Sequence, residues 1–404
     1  MRILPMGRVL LLLESGMSLN QTAKICMVLK NDSEVDLFKS ILTQNKIKNI
    51  TAFTNAEMAY ETATRSQFDM FIVNLKLSDQ PGIVLLQRLR NCGNYGLEPY
   101  LFVGESVDAP TLALFAEHDI EYIVTKPFTP DKIVNKIFYM IKQESSLSPA
   151  EEGFRQAKSA LQSQMPDMAW EMAIDAVEKH GTSEKLELLM GDILLSKGEI
   201  LKAREYYEKA EITNSESVAA KHKIASTYIA EKKFAEAKAI LDKLADVNPH
   251  HIKLLENAGL SNYETGNTKK AKKYMSQVTK LDKENKAASS VITKVKIDEG
   301  NLDGLAKNLQ TTHSEQEIVR LLNTAGVKLS KENKVEEAIK IYKDCLDVIE
   351  NKEFAGKVHY NLALAYQKNS ATNETVFHLQ EAVKNIPTME KAKAMLAKLK
   401  KPAA

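Results

Sequence analysis

A period of 34 residues runs through the second half of this 404-residue chain and limits what that half can fold into. Gly191, Ala225 and Gly259 repeat at that interval. So do Ala203, Ala237 and Ala271, with Ala169 one period earlier. Tyr207, Leu241 and Met275 keep the same interval, as do Ala210, Leu244 and Val278. Each period holds two amphipathic helical stretches joined by a break, such as Lys197-Gly198 or Thr265-Gly266. The small residues fall where the two helices must approach closely. A unit of this size cannot bury its apolar face alone, so it stacks on its neighbours. The segment therefore reads as an all-α array.

The pattern resembles the tetratricopeptide repeat. Seven units begin near Ala150, Glu184, Val218, Ile252, Lys286, Val319 and Gly356, the first five in unbroken register. The unit at Lys286 is degenerate: Thr293 and Leu305 stand at small positions, and Lys296 stands at the usual aromatic one. The sixth restores the pattern with Ala325, Gly326, Ala338 and Cys345. The seventh carries Tyr360 to Tyr366, Ala382 and Pro387, with Thr375 in place of the usual alanine. Residues 150–389 are thus expected to form a superhelical solenoid, and 390–404 a capping helix and tail. Such repeats line a concave face with the first helix of each unit, and that face binds protein segments. In this register the inner residues include His222, Ser226, Lys253, Tyr263, Lys294, Arg320, Asn323 and Tyr360. The mixture suits a mildly acidic peptide. The basic run Lys269 to Lys273 lies on a second helix and faces outward as a solvated surface.

A different pattern governs residues 23–143. Apolar runs at Ile25–Leu29, Asn49–Phe53, Met70–Val73, Tyr100–Val103 and Tyr122–Val124 alternate with helical spacing. Five strand–helix units in this length predict a doubly wound, flavodoxin-like α/β domain. Met70–Val73 is nearly all apolar, which marks a strand covered on both faces. Ligands of such sheets bind beyond the carboxyl ends of the strands, which places Leu29, Asn74, Gly104 and Lys126 around one spot. Ser145-Ser-Leu-Ser-Pro149 reads as a hinge, with a linker over 144–149.

The order of these elements resembles a response-regulator receiver (CheY-like) domain, and so does Lys126-Pro127-Phe128. The family's chemistry is mostly missing. Where an acidic pair holds magnesium, this chain has Leu29 and Lys30. The phosphate-accepting aspartate is matched by Asn74, and the hydroxyl residue of the fourth strand by Gly104. Ile123 stands at the position of the fifth-strand aromatic, while the family's lysine is kept as Lys126, beside a Lys126-Pro127 bond that is cis in the family. Magnesium demands a near-octahedral array of oxygens. Leu29 offers none, Lys30 repels the ion, and an amide oxygen at Asn74 is a poor nucleophile. Asp32 and Asp79 read as loop and helix-cap residues. The expectation is a degenerate pseudo-receiver that takes up neither magnesium nor phosphate.

Composition bounds the rest. The net charge of +2 compels no nucleic-acid or anionic-membrane partner. Cys26, Cys92 and Cys345 are scattered without metal-binding spacing; Cys26 and Cys345 read as buried small hydrophobes. Trp170 reads as packing. Val9 to Leu13 is too short for a membrane span, and residues 1–22 read as an unstructured extension or an overlong start with Met17 first. No catalytic constellation and no phosphate-cradling glycine loop appears, so no enzyme, metal or cofactor is expected. The functional reading is a non-catalytic, cytoplasmic signal-transduction adaptor of bacterial type. Its partners are proteins, not nucleic acid, and a homodimer is left open. The alternatives are a phosphorelay regulator with the repeats as output, or a nucleic-acid-associated regulator.

Overall fold

The computed structural model describes residues 23–399. The expectation for residues 1–22 lies outside them. Compactness divides the chain between Ser261 and Asn262, so the α/β domain and the first repeats make one unit and the later repeats another.

The first unit opens on a parallel five-stranded sheet of order β2-β1-β3-β4-β5. Its strands are β1 (Ile25–Val28), β2 (Ile50–Phe53), β3 (Met70–Asn74), β4 (Tyr100–Gly104) and β5 (Tyr122–Thr125). β1, β3 and β4 are buried throughout, as their unbroken apolar runs require. Five helices follow the strands: α1 (Asp32–Gln44), α2 (Ala56–Arg65), α3 (Gly82–Asn91), α4 (Ala109–Glu117) and α5 (Pro130–Ser145). The chain dictates where they start. Asn31, Asn55, Asp108 and Thr129 each accept a backbone N–H of the first turn. One face of the sheet packs Met27, Ile72, Leu101 and Val103 against Phe38, Ile133 and Ile137. On the other, Phe71 stacks on Tyr100 at 4.5 Å and Phe102 meets Phe115 at 4.7 Å.

Three residues after α5 the repeat helices begin. They are α6 (Pro149–Gln162), α7 (Pro166–His180), α8 (Glu184–Ser196), α9 (Ile200–Thr213), α10 (Val218–Ala230), α11 (Phe234–Val247) and α12 (Ile252–Glu264), in whose course the first unit ends. α6 packs on α7, α8 on α9 and α10 on α11, each pair as a hairpin. Close approach explains the small residues. A side chain at Gly191 would sit 2.3 Å from the Tyr207 ring, and one at Gly326 would sit 2.5 Å from the Tyr342 ring.

The second unit contains α13 (Thr268–Leu281), α14 (Lys286–Asp298), α15 (Leu305–Leu309), α16 (Glu315–Lys331), α17 (Val335–Leu346), α18 (Lys352–Lys368), α19 (Thr372–Asn385) and α20 (Glu390–Leu399). The degeneracy near Lys286 has a physical form: α15 keeps only five residues, though Leu305, Ala306 and Leu309 still fill the core. Asp344 accepts the Ala306 N–H at 2.7 Å and so tethers this short turn. Cys345 is fully buried, its thiol pushed up to about 12 by burial, as a packing residue should be.

Candidate functional site

The carboxyl ends of the strands form the first candidate. Asn74 ends β3 and is buried. Its side-chain oxygen accepts the Lys76 N–H at 3.0 Å. Its amide nitrogen donates to Glu34 Oε2 at 2.8 Å. The other oxygen of Glu34 lies 3.1 Å from Lys126 Nζ. Glu34 therefore stands between Asn74 and Lys126. Glu34 is held there by the start of α1, where its own N–H donates to Asn31, and a negative charge at a helix N-terminus is favourable. Glu105 adds a second carboxylate 3.8 Å from Lys126. The Lys126-Pro127 bond is cis.

The remaining pocket residues are apolar or turned away. Leu29 is fully buried in the sheet core, and Lys30 is exposed. Gly104 is required by its neighbour: a side chain there would meet Leu75 at 2.6 Å. Gly82 closes the loop after β3, where any Cβ would strike the Asn74 carbonyl oxygen at 2.1 Å. Asp79 accepts the N–H groups of Ala56 and Glu57, both at 3.1 Å, and so caps α2 from across that loop. The spot is thus a polar cluster in which the Glu34 carboxylate is held by the Asn74 amide and the Lys126 ammonium, with Glu105 at its outer edge.

The second candidate joins the α/β domain to the first repeats. Gln87, on α3, is buried. Its amide donates to the His250 carbonyl at 2.8 Å and accepts the Ile252 N–H at 2.9 Å. It thereby caps the start of α12 like a strand partner. Glu117 ends α4, and α4 packs on α10. Glu117 Oε2 lies 2.8 Å from His251 Nε2, and Oε1 lies 3.9 Å from His222 Nδ1. The two imidazole rings meet edge-on with centroids 4.9 Å apart. Asn257 Nδ2 lies 3.1 Å from His222 Nε2 and donates to Ser226 Oγ at 3.0 Å. Burial works against the Glu117 charge, but His251 and His222 outweigh it and hold the carboxyl well below its usual range. Burial lowers His222. The neighbouring His118 falls to about 4 by burial, against the pull of Glu117. Further ion pairs fasten the same seam: Arg155 to Glu144 at 2.5 Å, Lys158 to Asp119 at 2.6 Å and Lys185 to Asp119 at 3.2 Å.

This arrangement corrects one expectation. His222 lies on the inner face, as the period requires, yet it is 4% exposed because α4 covers it. Ser226, beside it, is tied up by Asn257. Of the other inner residues in this unit, Lys253 is exposed and pairs with Glu256 at 2.9 Å. In the second unit, Lys294 lies over the Tyr263 ring at 5.6 Å. Asn323 accepts from Asn361 at 2.5 Å, and Tyr360 is half-buried against the cluster of Leu379 and Ala392. Arg320 is exposed on α16. Glu34, Gln87, Glu117 and His251 were not singled out from the sequence. Each is an ordinary polar residue of a helix or turn, and nothing in a linear pattern marks its distant partner.

Residues 26–138 match the response regulator receiver domain family. The N-terminal domain is a receiver. Residues 188–211, 218–251 and 252–285 match the tetratricopeptide repeat, so the helices that follow the receiver are tetratricopeptide repeats. A tetratricopeptide repeat protein from Parabacteroides merdae is similar in structure at 16% identity, covering 62% of this chain and 99% of that one, with a TM-score of 0.41. The chemotaxis protein CheY4 of Vibrio cholerae is similar at 16% identity over 29% of this chain and 98% of its own, with a TM-score of 0.28. No curated protein matches the chain. A receiver followed by tetratricopeptide repeats makes a signalling or protein-interaction adaptor, and neither family is enzymatic. Among the described residues, no helix is long and apolar enough to cross a membrane.

Proposed function

We propose that the chain is a non-catalytic adaptor whose receiver is independent of phosphate and whose repeats dock other proteins. One observation carries the first part: the Glu34 carboxylate occupies the space between Asn74 and Lys126. Lys126 and the residue at the end of β3 are the groups that would face an incoming phosphoryl group. Here their charge and hydrogen bonds are spent on an anion built into the chain. A phosphoryl donor finds no nucleophile at Asn74, and Leu29 and Lys30 add no metal ligand. Incubating the full chain with magnesium and acetyl phosphate, then weighing it intact, tests the reading. No adduct is expected; a stable phosphoryl adduct on any residue of this cluster overturns it.

The docking part rests on the repeats themselves and on the cations their first helices present. Lys294 and Arg320 in the second unit are the energetic candidates, with Tyr263 as an apolar-bodied anchor; Asn323 and Tyr360 flank them as weaker contacts. In the first unit, Lys253 stays open to solvent while the receiver occupies His222. The partner is a protein segment of mildly acidic character in the cytoplasm, and nucleic acid is not among the partners. Replacing Lys294 and Arg320 with Glu weakens capture of that partner, and Lys269 and Lys272 serve as the control. If the control pair matters and the test pair does not, the binding surface is misassigned.

A further inference from the structure

We propose that Glu117, His222 and His251 form a divalent metal site, suited to zinc, that ties the receiver to the repeats. The proposal does not depend on the phosphate reading. Among the described residues, this is the group of three potential metal ligands whose donor atoms converge, all within 4.8 Å of one another. The three come from three separate places: the end of α4, the middle of α10 and the turn before α12. They are far apart in sequence yet meet in a buried seam.

An unsatisfied atom points into the site. His222 is 4% exposed, and its Nδ1 faces Glu117 without a hydrogen-bond partner. A buried imidazole nitrogen left unpaired costs free energy that a bound cation would recover. The donor set also fits. Two imidazole nitrogens and one carboxylate oxygen suit zinc with bonds of about 2.0–2.2 Å, and a fourth position is left for water. Tetrahedral bonds of that length set ligand atoms roughly 3.3 Å apart. The separations from Glu117 are 2.8 Å and 3.9 Å, and the imidazole nitrogens lie within 4.8 Å of each other, so modest side-chain shifts bring the three ligands to that spacing.

His222 must carry its proton on Nε2 and leave Nδ1 free. Asn257 permits this if its amide turns over and presents oxygen to Nε2 at the same 3.1 Å distance; its bond to Ser226 then reverses, with the Ser226 hydroxyl donating to the amide oxygen instead of to the His222 carbonyl. That bond would then orient the ring, as outer hydrogen bonds do for metal-bound histidines. His251 moves its proton from Nε2 to Nδ1 and gives up the Leu254 N–H contact, which is long at 3.3 Å. Starting from neutral imidazoles, binding needs a tautomer shift at each histidine. The nearby cations do not oppose the ion freely: Lys223 is paired with Asp192 at 2.7 Å, and Lys158 with Asp119 at 2.6 Å.

The untagged full chain, freed of metal by a chelator, should bind one equivalent of zinc ion and melt at a higher temperature with it. Cobalt ion in its place should give the visible absorption of a four-coordinate site. Glu117→Gln and His222→Gln, checked for folding by circular dichroism, should lose this binding, and Asn257→Ala should weaken it about 10–100-fold. His359 and His378, whose ring nitrogens lie 3.0 Å apart in the second unit, are the internal control: His378→Gln should leave binding intact. In the unaltered chain, zinc should shift the ring resonances of His222 and His251, which reads the site even where a variant fails to fold. Failure of zinc to shift those resonances, or loss of binding in His378→Gln alone, overturns the proposal.

Discussion

At the scale of single residues, the receiver pocket is a set of mutual dependencies rather than a set of losses. Asn74 donates to Glu34, so Asn74→Asp would set two carboxylates against each other at about the same 2.8 Å. One of them would be forced toward the neutral form. The variant should be destabilised by about 1–3 kcal/mol in urea unfolding at pH 7, and Glu34→Gln should relieve most of that. Equal stability of Asn74→Asp and the unaltered protein would show that Glu34 does not sit there. Gly104→Thr, which restores the family's hydroxyl, should cost about 1–3 kcal/mol, because Leu75 already fills the space. Leu75→Ala should recover stability in that background and not in the unaltered one. The departures at Asn74, Gly104 and Leu29 were legible in the sequence, because each stands at a strand end whose place the apolar runs define. Glu34 was not, because it reaches the pocket from a helix turn that the pattern assigns to solvent.

At the scale of elements, the repeat period governs more than its small residues. A backbone with positive φ recurs at Gln164, Gly198, Lys232, Gly266 and Gly300, each 34 residues after the last. These residues turn one helix into the next. Gly198 and Gly266 announced the turns in the sequence, whereas Gln164 and Lys232 adopt the same conformation without advertising it. Inside the pairs, Gly191→Ala tests close approach. Alanine favours a helix over glycine by about 1 kcal/mol. Against that, the new methyl strikes the Tyr207 ring, which cannot retreat because it is buried and its hydroxyl donates to Asp192 at 2.7 Å. Overpacking of about 1–3 kcal/mol should win, so the melting temperature falls; a rise would mean that the pair is loosely packed. In α18 and α19, burial lowers His359 and takes His378 down to about 4, with His359 adding its repulsion. Both folded values lie below the unfolded value near 6.5, so the unfolded chain binds more protons between about 4 and 6.5. The stability these histidines contribute is complete above that window and is lost as pH falls through it. His378→Phe should flatten the pH dependence of unfolding between pH 7 and 5; an unchanged slope would assign it to other groups.

At the scale of the molecule, the two architectures were legible but their coupling was not. Periodicity is a local property, and it identifies a sheet domain and a helical array separately. Gln87 is an ordinary polar residue on a helix in any linear reading, yet it is the buried amide that caps α12 through His250 and Ile252. Because the receiver and the first repeats share this seam, they should unfold together. Gln87→Leu keeps the volume but leaves the His250 carbonyl and the Ile252 N–H without partners in a buried place. Such orphaned groups cost about 1–3 kcal/mol each. The change should therefore exceed that of a surface glutamine, and it should be felt on both sides of the seam. Amide hydrogen exchange at the start of α12 and along α3 should accelerate together in the variant, while β1 and β3 stay protected, since their core of Met27, Ile72 and Leu101 is untouched. If α12 alone accelerates, the amide is a local cap and the receiver is held by the ion pairs of Glu144 and Asp119. If neither responds, the seam contributes nothing to stability and the two parts of the unit fold independently.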